Sequence, residues 1–327
     1  MRKPNFIIVG AAKSGTTSLF RYLRAHPDVF MPELKEASYF AGFNIKTEAD
    51  YLHQFEPAGN RRAVGEASGA YLYAPAAAAG IRECLGPNVR IVMILRNPID
   101  MAYSLWGHMV REGAESLSFF DALAVEERRM ADPEFHRTAK SWVYNFAYAA
   151  RARYAPQVAN YLSTFERQQL RVFIFEEFFA DPAAGYAELC RFLDVSTEHQ
   201  PTFEAFNPAG VLRSQRLQKL LDEPTLWKEL VKALTPDLLR AKLKLKLSKL
   251  NYKVQRLPAL SPLERERLWQ LFAADVRELE SLLGRRLDCW GARPVRPAPQ
   301  VALRDLAQAR GAEARVVSRV HDLHVER

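Results

Sequence analysis

The chain has 327 residues, 48% of them hydrophobic, with 46 Lys and Arg against 38 Asp and Glu, a formal net charge of +8. That length and apolar fraction bury a large core and exclude a disordered or fibrous chain. The positive balance favours anionic ligands. Cys84, Cys190 and Cys289 are far apart and form no CxxC pair, so neither a zinc site nor a disulfide framework is expected, which fits a reducing compartment.

The first element is the most specific. Residues 5–9 read as a short buried strand, Gly10 to Gly15 as a loop carrying one lysine, and Thr16 to Arg24 as a helix. Loop amides and the positive end of the helix dipole then converge on one point and favour an anion there. The loop differs from GxxxxGK[ST], where lysine directly follows the second glycine. Here Thr16 follows Gly15, and the lysine comes earlier, at Lys13. No apolar strand ends in an aspartate placed for Mg²⁺. A donor whose transferred group carries less charge than a γ-phosphate suits this loop better.

Glu36 follows in Lys35-Glu36-x-x-Tyr39-Phe40, where apolar neighbours are expected to bury it and suit it to take a proton. His108 is the rival base, on the helix after Arg96. His26, before Pro27, reads as a helix-end residue. A strand is expected at 63–67 and another at 90–95, ending at Arg96. Asn97 then caps a helix whose first position is Pro98. Ser104 lies seven residues after Asn97, close to two turns, and returns to the face of the strand end. Arg96 and Ser104 thus form a second anion site, apart from the first.

Further helices are expected near 98–112, 117–130, 145–163, 183–193 and 262–283, and a strand at 170–175. Strands alternating with long helical stretches imply an α/β fold with a P-loop-like parallel sheet covered on both faces and extended by helical additions. Residues 239–256 hold seven Lys or Arg and no acid. They read as a basic wall for an anionic acceptor, a contact with an anionic membrane surface, or a solvated connector. Prolines at 294, 297 and 299 set residues 1–293 apart from a tail at 294–327.

Taken together, GAAKSGTTSL, PELKEASYF, GEASGAYLY and LRNPIDMAYSLWGHMVREG resemble the sulfotransferases that use 3′-phosphoadenosine 5′-phosphosulfate (PAPS), above all bacterial and heparan-sulfate types. The similarity runs from about residue 4 to 290. It implies that Lys13, Ser14, Gly15, Thr16, Thr17 and Ser18 hold the 5′-phosphosulfate, with Lys13 meeting charge on the bridging oxygen. Arg96 and Ser104 match the pair that holds the 3′-phosphate, and Glu36 matches the general base. Arg213 and Ser214, in GVLRSQRL, fall where related enzymes close a loop over the donor.

Two departures stand out. Glu66 is followed by Ala67 where glycosaminoglycan sulfotransferases often carry lysine, and Gly69 replaces the proline of the same motif. Sulfuryl transfer is unaffected by these changes, whereas a shared polysaccharide substrate is disfavoured. The implied activity needs PAPS as co-substrate and no metal, and releases adenosine 3′,5′-bisphosphate. The acceptor, a small molecule, carbohydrate or lipid, is left open, as are O- against N-sulfation and the oligomeric state.

The apolar N-terminal run is one strand long and leads into the loop, so no signal peptide is expected. No stretch approaches the roughly 20 apolar residues of a membrane span, and a cytoplasmic enzyme is the expectation. A P-loop nucleotide kinase or NTPase is the alternative that the lysine position argues against. A nucleic-acid binding protein is the other, and no matching motif or basic–aromatic face supports it.

Overall fold

A computed structural model describes residues 2–203, 211–212, 252–253 and 257–291. Five parallel strands form the main sheet in the order β2-β3-β1-β4-β5. They are β1 (Phe6–Gly10), β2 (Val29–Phe30), β3 (Ala63–Ala67), β4 (Arg90–Leu95) and β5 (Leu170–Ile174). Every residue of β1 and β3 is buried, as are all but Arg90 of β4. Strands covered on both faces read as continuous apolar runs, which is what FIIVG and RIVMIL are.

The two-residue period of a strand sorts these side chains into two cores. Ile7 and Val9 of β1, with Ile91, Met93 and Leu95 of β4, enter one core. Phe6, Ile8, Val92 and Ile94 enter the other. The first core lies under α3 (Ala77–Leu85), α4 (Pro98–Arg111), α9 (Ala155–Thr164) and α12 (Pro262–Leu283), and the second under α1 (Thr16–Arg24) and α11 (Pro182–Leu193). The remaining helices are short: α2 (Glu48–His53), α5 (Phe119–Ala124), α6 (Glu126–Ala131), α7 (Pro133–Thr138), α8 (Tyr148–Ala152) and α10 (Phe175–Phe178). Among the described residues no helix is long and apolar enough to cross a membrane.

Capping chemistry explains the helix starts. Asn97 accepts from the Ile99 amide, with Pro98 opening α4. Ser261 and Glu264 form a capping box on α12, again with proline in the first turn. The expected helix at 145–163 is instead a 3₁₀ turn at Val143–Phe146 followed by α8 and α9, because Arg153 is extended. Asp275 of α12 accepts from the Tyr154 and Ala155 amides at 2.8 and 3.2 Å, satisfying the fresh N-terminus of α9. The expected helix at 117–130 is divided at Val125 into α5 and α6. Arg265 of α12 is buried and bonded to Asp100 at 2.7 Å, so α12 also clamps the start of α4.

Gly65 lies where β3 crosses β1. A Cβ there would stand 2.5 Å from the Phe6 ring and from the Phe6 carbonyl oxygen. Neither the backbone oxygen nor the buried ring has space to retreat. Gly65→Ala is therefore expected to cost about 1–3 kcal/mol, the usual range for overpacking a closed core, and to lower the thermal midpoint by several degrees. An unchanged midpoint in a thermal melt would show that the β1–β3 contact is looser than described.

Candidate active site

The loop after β1 ends at Gly15, the N-cap of α1, which takes φ 91°. A Cβ at Gly15 would come within 2.6 Å of the Phe179 ring, so glycine serves there both for the backbone angle and for the close approach. Ser14 is fully buried, and Thr16 and Ser18 nearly so. Lys13 itself sits at φ 60°, in the left-handed region.

Arg96 closes on this loop from the end of β4. Its Nη1 donates to the Lys13 carbonyl at 3.1 Å, and its guanidinium lies over the Phe175 ring at 4.8 Å from the centroid. Tyr154 Oη donates to the Arg96 carbonyl at 3.0 Å. The next peptide is held as firmly: the Asn97 amide donates to Glu176 at 2.9 Å, and Trp290 Nε1 donates to the same carboxylate at 2.8 Å. The loop and the strand end therefore share a shelf of Phe175, Glu176 and Phe179. Ser104 is half-buried on α4, on the helix that follows.

Positive charge dominates the electrostatics. Burial is the main cause that brings Lys13 down to about 8, and the charges of Arg111, Arg96 and Lys35 push the same way. His108 is brought down to about 4 by burial and by Lys13, Arg111 and Arg151. Its imidazole is thus neutral at neutral pH and faces this cation cluster. Arg151 is 3% exposed and brought down to about 10 by burial, with the Glu36 charge opposing.

Two acids lie among these cations: Glu112, which opposes the lowering of Lys13, and Glu36. The Glu36 side chain is 40% exposed, so the deep burial expected beside Tyr39 and Phe40 is not found; those rings pack instead against Tyr51. One carboxylate oxygen pairs with Lys35, and the other accepts from the Gly69 amide at 2.8 Å. Arg151 donates to the Gly69 carbonyl at 3.1 Å and to Asn145 at 2.6 Å. Lys35 therefore acts on both Lys13 and Glu36, and Gly69 ties Glu36 to Arg151. The structure gathers Lys13, Ser14, Gly15, Thr16, Ser18 and Arg96 around one loop, with Glu36 and His108 coupled to it through these cations.

Arg213 and Ser214 lie outside the described residues, as does nearly all of the basic stretch at 239–256. Arg151, Tyr154 and Glu176 carry much of the support and were not singled out from the sequence. Nothing local marks them, because each acts on a residue more than fifty positions away.

Comparison with known proteins places this arrangement. Residues 3–205 match the sulfotransferase domain family. A sulfotransferase structure from Alicyclobacillus acidocaldarius shares 33% identity, covers 88% of this chain and 99% of its own, and superposes with a TM-score of 0.65. Among curated relatives, the membrane-associated sulfotransferase kil1 of Dictyostelium discoideum is 22% identical over 64% of this chain, and the bifunctional heparan sulfate N-deacetylase/N-sulfotransferase 4 of Mus musculus is 28% identical over 63%. The chain spans 59% of the first relative's length and 24% of the second's. A family match over more than half of the residues, together with that structural likeness, makes this chain a member of the sulfotransferase domain family.

Proposed function

We propose that the chain transfers a sulfuryl group from PAPS to an acceptor hydroxyl, an amine being the less favoured acceptor. The observation that carries this reading is the concentration of cations around the Lys13 loop, with one half-exposed carboxylate, Glu36, set among them. Such a place attracts a polyanionic donor and keeps a base next to it. Lys13, Ser14, Gly15, Thr16, Thr17 and Ser18 hold the 5′-phosphosulfate, and Arg96 with Ser104 holds the 3′-phosphate.

In this mechanism the acceptor oxygen attacks sulfur in line, and Glu36 takes its proton. The bond from sulfur to the bridging oxygen breaks, and adenosine 3′,5′-bisphosphate leaves with the negative charge. Lys13 and the loop amides meet that charge, an electrostatic role whose loss costs about 10² to 10³ in rate. His108, brought down to about 4 by burial and the neighbouring cations, is neutral at neutral pH and is the rival base. The departures at Ala67 and Gly69 favour an acceptor other than heparan sulfate itself. Incubating the enzyme and ³⁵S-labelled PAPS with cell extract, then identifying the labelled product by mass spectrometry, tests the reading and supplies the acceptor.

Donor recognition is checked without an acceptor. Adenosine 3′,5′-bisphosphate at 100 times its dissociation constant is expected to stabilise the fold by about 2.7 kcal/mol. AMP at the same concentration is expected to raise the melting temperature much less, since Arg96 and Ser104 then have no phosphate to hold. Equal shifts with the two nucleotides would remove the second anion site from the mechanism.

The lowered Lys13 value has a measurable sign. Near pH 8.5 the free protein holds Lys13 largely neutral, because its midpoint is about 8. A bound bisphosphate favours the charged form, so binding is expected to draw up to about one proton from buffer and to weaken as pH rises further. Calorimetry in two buffers of different ionisation enthalpy reads this uptake, and Lys13→Ala is expected to abolish it. Uptake that survives in the variant would assign the proton to another group.

Glu36→Gln preserves shape but cannot accept a proton. With the acceptor identified above, kcat is expected to fall about 10² to 10⁴-fold while donor affinity changes little. His108→Ala is expected to act chiefly on acceptor KM. The opposite ranking would make His108 the base.

A further inference from the structure

A second carboxyl stands behind the first. Glu66, on β3, is fully buried and has no part in the mechanism above. One of its oxygens accepts from Tyr71 Oη at 2.7 Å and from Tyr51 Oη at 3.2 Å; the other accepts from Ser68 Oγ at 2.7 Å. Three hydroxyl donors suit an acceptor-only carboxylate. Burial nevertheless pushes Glu66 up to about 7, the hydroxyl bonds pull it back, and the Glu36 charge pushes it further up.

The groups facing Glu66 leave few others to change charge. Tyr51 of α2, Tyr71 after β3 and Tyr161 of α9 are all driven above the usual tyrosine range, first by burial and then by Glu66. Cys84 of α3, beyond Tyr51, is pushed up to about 11. At neutral pH all four stay neutral; near Glu36 the groups that change charge are Glu66 at about 7 and Lys13 at about 8, while Arg151, brought down to about 10, stays charged.

Ser68 makes the connection. Its single hydroxyl proton goes to Glu66, so its lone pairs face outward, and one accepts the Ser38 amide at 3.0 Å. Ser38 Oγ in turn donates to the Glu36 carbonyl at 3.2 Å. The Glu36 amide donates to Ala67, the residue after Glu66, at 3.1 Å. Glu36 and Ser38 hold φ 64° and 54°, angles that side-chain-bearing residues keep only where their surroundings impose them.

We propose that Glu66 is a positioning residue: through Ser68 and Ser38 it holds the left-handed loop that presents the Glu36 carboxylate, and its charge state adjusts that presentation. When Glu66 takes a proton, one of its oxygens becomes a donor. A hydroxyl bonded to it must then turn or lose its bond, and Ser68 is the one whose turning reaches Ser38. The catalytic consequence rests on Glu36 being the base; the coupling between the two carboxyls does not.

The test uses the full chain with ¹³C at the glutamate carboxyl carbons, followed by NMR from pH 5 to about 9. The Glu36 resonance is expected to show an inflection near pH 7 that follows Glu66. Glu66→Gln is expected to remove that inflection and Ser68→Ala to shrink it, with the melting shift on adenosine 3′,5′-bisphosphate retained as evidence of a folded donor site. Should Glu66→Gln not fold, Ser68→Ala decides alone. A Glu36 resonance without the inflection, or one that keeps it undiminished in Ser68→Ala, overturns the proposal. Loss of the nucleotide shift in the unaltered protein, with the inflection behaving as expected, would overturn the PAPS reading and leave the positioning role standing.

Discussion

The arrangement around the site turns on a lysine whose charge costs more there than in water. Lys13 is partly buried, sits in a left-handed backbone conformation and feels the charges of Arg111, Arg96 and Lys35. Like charges repel, and burial adds to the cost of charging Lys13. The arrangement is stable because rigid elements on both sides hold it: the sheet below, the aromatic shelf of Phe175 and Phe179, and the Tyr154 and Glu176 bonds at the end of β4. Stability elsewhere in the two cores offsets the cost.

The support is arranged in layers. In the proposed reading the loop backbone and Arg96 touch the donor; Tyr154, Glu176 and Arg151 fix those groups, and Asp275 and Arg265 of α12 fix the starts of α9 and α4. Each layer is further from the loop in sequence than the one before. A displacement at the outermost layer therefore reaches the loop through hydrogen bonds of known length rather than through general flexibility.

Much of this was legible in the sequence, and the limits have physical causes. Helices α1 and α12 and strands β3 and β4 stand at the expected boundaries, because glycines, capping residues and buried apolar runs are local signals. The Asn97 cap was readable for the same reason. β2 has only two residues, too few for a period, and α2 and α3 carry weak patterns. The break before α9 depends on Asp275, 121 residues distant from Tyr154, so no window around Arg153 contains its cause. Glu36 was found by its motif, but its exposure was misjudged: adjacent aromatic residues packed on Tyr51 and left the carboxylate to Lys35. The fully buried acid beside it is Glu66, an acidic residue inside an otherwise apolar strand, which was a visible signal.

The closing stretch of the described chain bears on how the protein is made. Asn97 donates to the Gly291 carbonyl across 194 residues, and Trp290 bonds Glu176 beside it. During synthesis the glycine loop and the end of β4 emerge before residues 290 and 291, for which these two contacts wait. At about 5–20 residues per second that interval is roughly 10 to 40 s. Throughout it the nascent chain carries a cationic, incompletely braced loop in the presence of ribosomal RNA and other polyanions. A sulfotransferase of this design thus braces its glycine loop and the end of β4 only after residues 290 and 291 have been made, the latter 194 residues beyond Asn97.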